Sequence, residues 1–200
     1  MRLRLTAILA VFSLSLCSAI CHADFETGQE AYSSGDYETA LAEWQPLAEA
    51  GNADAQFGMG LLYANGFGVA MLDDEALKWY GLAAEQNHAE AQANLGVMHA
   101  NGWGVPQSDA EAFKWYLLAA EQGILAAQMG LAKMYSSDFG PEQSLVQAHM
   151  WFNIASELGD FNAASKRDDL TARMPAEQVA EATDLAAVWL ENFRSLHANQ

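Results

Sequence analysis

Cysteine, basic residues and long apolar runs are all scarce in this 200-residue chain, and each shortage excludes something. Both cysteines, Cys17 and Cys21, lie in the first 23 residues, so the remainder can form neither a disulfide framework nor a thiolate metal site. Beyond residue 23 there are seven Lys and Arg against 26 Asp and Glu, a net of −19. Nucleic acid is not expected as a partner, because phosphate binding depends on clustered cations, and an anionic membrane surface repels the chain for the same reason. The acidity reads as solvated carboxylates on helix backs, with a surface dedicated to a basic partner as the alternative. No later apolar run reaches the ~18 residues of a membrane-spanning helix, so no membrane insertion is expected.

Reactive motifs are missing too. There is no Ser-x-x-Lys, Gly-x-Ser-x-Gly or His-Glu-x-x-His, and the glycines of Gly66-Phe67-Gly68 and Gly102-Trp103-Gly104 lack the Lys and the preceding strand of a phosphate-binding loop. His88, His99, His149 and His197 do not have metal-ligand spacing. His149 falls where other copies of the internal repeat described below carry Leu41, Leu77 and Phe113, and His99 where they carry Tyr63 and Tyr135, so both are expected to pack as core variants. No catalytic residue, cofactor or metal is assigned.

What the chain does have begins with a leader. Arg2 and Arg4 precede an apolar run from Leu5 to about Leu16, followed by small residues and Cys21-His22-Ala23, the pattern of a signal peptide over residues 1–23 with cleavage after Ala23. A lipoprotein signal would need a small residue before its cysteine, whereas Leu16 and Ile20 stand there. A periplasmic or secreted location follows as an expectation.

The dominant feature is a 36-residue period. Ala40, Ala76, Ala112 and Ala148 share it, as do Glu49, Glu85, Glu121 and Glu157, and Trp79, Trp115 and Trp151. A fixed period of this size signals stacked supersecondary units. Within each unit, apolar residues at three-and-four spacing predict a first helix, a turn at Gly51, Asn87, Gly123 or Gly159, and a second helix, then a loop. All four turn residues tolerate the left-handed backbone of a tight helix stop. Glycine inside the second helix, at Gly60 and Gly96, costs ~1 kcal/mol against alanine, and close helix-on-helix approach is the expected compensation. Pro46 lies inside the first unit's helix and is expected to kink it. The predicted organisation is an N-terminal half-repeat helix over 24–35, repeats over 36–72, 73–108, 109–144 and 145–173, and a capping helix over 174–200 with Val179, Ala182, Ala186, Trp189 and Phe193 on one side. In the fourth repeat, charge at Lys166 to Arg173 replaces the glycine loop. The fold class is all-α: an α/α solenoid of about four helix-turn-helix repeats.

The strings ALKWYGLAAEQN (76–87), AQANLG (91–96) and NGWGV (101–105), with their copies AFKWYLLAAEQG (112–123) and AQMGLAKMY (127–135), resemble the Sel-one-like repeats (SLR), relatives of the tetratricopeptide repeats. The resemblance covers residues 36–159. The pattern weakens at Ser137-Asp138-Phe139-Gly140-Pro141, and Glu43 stands in the first unit where tryptophan recurs later. The resemblance implies an adaptor that presents a curved surface to other proteins, with no shared catalytic residues.

Two sets of aromatics recur. Trp79, Trp115 and Trp151, with Tyr80, Tyr116 and Phe152, sit mid-helix and are expected to form inter-repeat core. Phe67, Trp103 and Phe139 recur in loops, where no helix face obliges an apolar side chain. They are the candidate protein-binding residues, against the alternative that each ring folds down onto the next repeat's first helix. The functional expectation is a non-catalytic protein-binding scaffold of the bacterial envelope, its protein partner unspecified. Two alternatives stay open: an envelope hydrolase acting on peptidoglycan or β-lactams, and a structural clamp in an export or polysaccharide machine.

Overall fold

The computed structural model describes residues 23–137 and 143–198. Residues 1–22 of the leader and Phe139 lie outside the described residues. Ten helices are found among the described residues: α1 (Phe25–Ser34), α2 (Tyr37–Glu49), α3 (Ala53–Asn65), α4 (Asp73–Glu85), α5 (Ala89–Asn101), α6 (Asp109–Glu121), α7 (Leu125–Ser136), α8 (Leu145–Glu157), α9 (Phe161–Thr171) and α10 (Ala176–His197). The chain divides into two compact units, one ending at Ala91 and one beginning at Gln92.

Local chemistry explains where the helices start and stop. Asp24, Asp36, Asn52, Ser108, Ser144 and Asp160 each accept a bond from a backbone N–H in the first turn that follows, as capping residues do. At the hairpin turns, Gly51, Asn87, Gly123 and Gly159 have φ of 96°, 67°, 91° and 108°. The next residue donates its N–H to the carbonyl five residues earlier, from His88 to Ala83 and from Ile124 to Ala119, which closes the helix end. Asn87 is the only non-glycine at positive φ among the described residues. α2 passes through Pro46, and the Pro46 carbonyl accepts the Ala50 N–H at 3.1 Å. Of the charged stretch, Lys166 to Thr171 is part of α9, and Arg173 lies in the turn that follows.

Within each unit the hairpins pack through small residues. Ala40, Ala76, Ala112 and Ala148, and Ala55, Ala91, Ala127 and Ala163, have no exposed surface. Most helical glycines have a more specific cause than bare backbone approach: Gly28, Gly58, Gly60, Gly96 and Gly130 each face an aromatic ring, whereas Gly81 has nothing within 4 Å. A Cβ on Gly60 would stand 2.4 Å from the Tyr80 ring, and one on Gly96 would stand 2.5 Å from that of Tyr116. Trp44 is gripped from two sides, by Gly28 of α1 and Gly58 of α3. It sits one residue after Glu43, in the register of Tyr80, Tyr116 and Phe152. The first repeat therefore keeps its ring although it lacks the repeated tryptophan.

Among the repeated tryptophans, Trp79 and Trp151 are buried, whereas Trp115 is only half-buried, with Lys114 Nζ 5.2 Å from its ring centre. In the unit beginning at Gln92, α10 lies along α8. Trp189 meets Trp151 edge-on at 5.7 Å, and Ala182, Ala186 and Leu190 are buried. Val179, Trp189 and Phe193 are half-buried, so the apolar side expected of the last helix is the side it buries.

Buried glutamines also recur in the apolar interiors of the two units. Gln56, Gln92 and Gln128 recur at the 36-residue spacing and are almost fully buried. Gln56 Nε2 donates to the Ala48 carbonyl, and its Oε1 accepts from Gln86 Nε2 at 2.7 Å. Gln122 serves Gln92 in the same way. The matching donor for Gln128 would stand at position 158, which is leucine, and Gln128 Oε1 is buried without a partner.

Candidate interaction surface

Phe67 and Trp103 occupy loops built alike. Gly66 and Gly68, and Gly102 and Gly104, have positive φ; the Phe67 and Trp103 N–H groups close onto Leu62 and Met98 at 2.9 and 3.0 Å. Their side chains end differently. Phe67 stacks on Tyr37 at 4.3 Å with 6° between the rings, and Tyr32 lies 6.1 Å away. It therefore folds onto α2 of its own repeat rather than onto the next. Trp103 is 50% exposed. In its repeat, the position of Tyr37 is taken by Asp73, which offers no ring. No continuous column of exposed loop aromatics is formed by these two.

The unit ending at Ala91 carries a surface that the 36-residue pattern does not announce. α1 and α3 flank a groove of about 570 Å³ floored by the Trp44 indole, whose N–H donates to the Phe25 carbonyl at 3.2 Å. Phe25 stacks on Trp44 at 5.9 Å and Tyr32 lies 5.5 Å from it; both are half-buried, as is Phe57 on the α3 side. Burial and the neighbouring Tyr37 raise the Tyr32 phenol above its usual value, so it stays a neutral donor and acceptor.

The rim is polar: Gln29 and Ser33 on α1, Asp54 on α3, and His88 and Glu90 at the start of α5. His88 caps α5, its Nδ1 accepting the Ala91 N–H at 3.3 Å, which leaves Nε2 to carry the proton of the neutral ring. Nε2 lies 3.4 Å from Asp54, Nδ1 lies 3.4 Å from Glu90, and the imidazole stacks on Phe57 at 4.6 Å. Asp54 and Glu90 each remain more than half exposed, so both can still meet an incoming group.

The sequence did contain signs of this groove. Phe25, Gly28 and Tyr32 follow helical spacing outside the repeats, and Phe57 is a ring where the later repeats have Ala93 and Met129. Elsewhere, His149 is buried as its repeat position implies, its Nε2 3.0 Å from Thr171 Oγ1. No group of three or more His, Cys, Asp or Glu able to hold a metal occurs among the described residues, and none of their helices is long and apolar enough to cross a membrane.

Comparison with known proteins matches this architecture. The Sel1 repeat family pattern fits residues 53–88, 89–124 and 125–160, each copy starting at the second helix of a hairpin. These copies span more than half of the chain, and the protein belongs to the Sel1 repeat family. A Sel1 repeat protein from Oxalobacter formigenes, known from a crystal structure, is 35% identical with a TM-score of 0.60 over 65% of this chain and 98% of that one. A protective antigen of uropathogenic Escherichia coli with an SLR fold is 30% identical over 78% of this chain and 41% of that one, with a TM-score of 0.49. No curated protein matches in sequence.

Proposed function

We propose that this Sel1-repeat protein is a non-catalytic protein-binding scaffold of the bacterial cell envelope, exported by its 1–23 leader. The observation that carries the reading is the groove between α1 and α3: half-buried rings lining a concave surface beside hydrogen-bonding groups on a helical scaffold. Aromatic side chains in concave, partly desolvated settings are the usual anchors of protein recognition, and Sel1 repeats typically mediate protein interactions. The leader supports the location, since its charge, apolar run and small-residue end fit export.

A photo-crosslinking residue introduced at Gln29, in the groove, is expected to yield a discrete protein adduct in intact cells, while one at Glu177, on the exposed start of α10, yields none. Adducts at neither position, or equally at both, would sink the reading. The amino terminus of the exported protein should read Asp24-Phe25-Glu26. Turnover of nitrocefin or muropeptides above background, abolished by one substitution, would restore a hydrolase.

A further inference from the structure

We propose that the groove between α1 and α3 receives an arginine side chain from an extended, cationic segment of the partner protein. This rests on the protein-binding reading above and specifies its chemistry. Three observations converge on it.

The first is charge. Residues 24–91 contain thirteen Asp and Glu and a single Lys or Arg, Lys78, whereas residues 92–200 set thirteen acids against six Lys and Arg. Lys78 is engaged with Glu75 at 3.1 Å and does not line the groove. The groove thus opens in the more negative unit, and a field of one sign around a concave, low-dielectric surface draws in the opposite charge.

The second is the order of groups along the wall. Phe25, Tyr32 and Phe57 offer ring faces, and Asp54 and Glu90 stand at the Phe57 end. A long side chain that lays its stem on the rings would carry its head group to those carboxylates. Guanidinium suits both surfaces: it stacks on aromatic faces, is weakly hydrated and pairs with carboxylates through a planar fork, while the ammonium of lysine is a strongly hydrated point charge. His88 adds direction, because its Nε2 stands 3.4 Å from Asp54 Oδ1, on one side of the carboxylate.

The third is continuity. A second acidic depression on α1, lined by Glu26 and Glu30, shares Gln29 and Ser33 with the groove. A single side chain does not fill about 570 Å³, so the backbone and a further basic residue of the same segment can follow this track.

The test uses the exported protein and a fluorescein-labelled Gly-Ser-Arg-Ser-Arg-Ser-Gly peptide, read by fluorescence anisotropy at two salt concentrations. The Arg peptide should bind more tightly than its Lys counterpart, and the citrulline version should not bind. Asp54→Asn and Glu90→Gln, both at exposed positions, should each weaken binding about tenfold. Phe57→Leu should also weaken it, with melting curves verifying the fold, and Glu177→Gln, on the exposed start of α10, should leave it unchanged. Equal binding of Arg and Lys peptides with no effect of Asp54→Asn would overturn the proposal, as would binding of spermidine as tight as that of the peptide. If the Gln29 crosslink forms in cells while the Arg peptide does not bind, the inference fails and the scaffold reading survives. If neither occurs, both fail.

Discussion

The two units share one repeat and treat its open flank differently. In the unit ending at Ala91, the helix outside the 36-residue pattern is α1, ten residues long, and it leaves the faces of Phe25, Tyr32 and Phe57 reachable from a groove. In the unit beginning at Gln92, the corresponding outsider is α10, 22 residues long, which buries Ala182, Ala186 and Leu190 against α8. Ile154 on α8 has no exposure in that cluster, whereas Leu82 and Leu118 at the same repeat position are 39% and 37% exposed. A repeat always presents an apolar flank that it cannot cover itself. The length and register of the terminal helix decide whether that flank is sealed or offered.

The largest expected effect lies in the sealed unit. Trp151→Ala should destabilise by about 3–5 kcal/mol in chemical denaturation, since Trp151 is 3% exposed and meets Trp189. The half-buried Trp115→Ala should cost clearly less; equal losses would mean that the repeat position, rather than burial, sets the energy.

Glycine offers a sharper contrast. Gly81→Ala adds a methyl where nothing lies within 4 Å and should stabilise by about 0.5–1 kcal/mol through helix propensity. Gly96→Ala places the same methyl against the Tyr116 ring and should destabilise by about 1–3 kcal/mol. Matching signs for the two would reject the ring-in-glycine account.

The buried glutamines separate the units again. Gln56→Leu strips partners from Gln86 and from the Ala48 carbonyl and should cost about 1–3 kcal/mol. Gln128→Leu removes an acceptor that has no partner, so a smaller loss is expected, and a loss as large as that of Gln56→Leu would break the comparison.

Acid should act through His149. Burial, then the nearby Arg167, lowers its affinity for protons below the ordinary value of about 6.5, while Asp168 acts weakly the other way. The unfolded chain then binds the proton more readily, so this contribution is fully present above about pH 6.5 and is lost as pH falls from there toward the lower folded value. His149→Leu, the residue that Leu41 and Leu77 supply elsewhere, should flatten the fall in melting temperature over that window. The smallest effect belongs to Trp103→Ala, which should stay within about 0.5 kcal/mol because the ring is half exposed.

Much of this fold was readable in advance. The four turn residues predicted their own left-handed backbone, and the 36-residue spacing located the hairpins to within a residue or so. The groove was harder to foresee because its rings come from α1, α2 and α3, and only α2 and α3 belong to the repeat. Phe67 and Trp103 were indistinguishable as letters in matching loops; Phe67 is covered because Tyr37 supplies a ring to stack on.

By itself the sequence determined the helices, their caps, the turns and the period, because these depend on interactions within a few residues of the chain and repeat wherever the letters repeat. The tertiary structure alone decided which glycine houses a ring, which tryptophan is covered, and that Gln128 lacks the partner its two counterparts have. Those outcomes depend on side chains brought together from distant positions, where one changed residue, Leu158, leaves Gln128 Oε1 without a partner and does not disturb the local pattern.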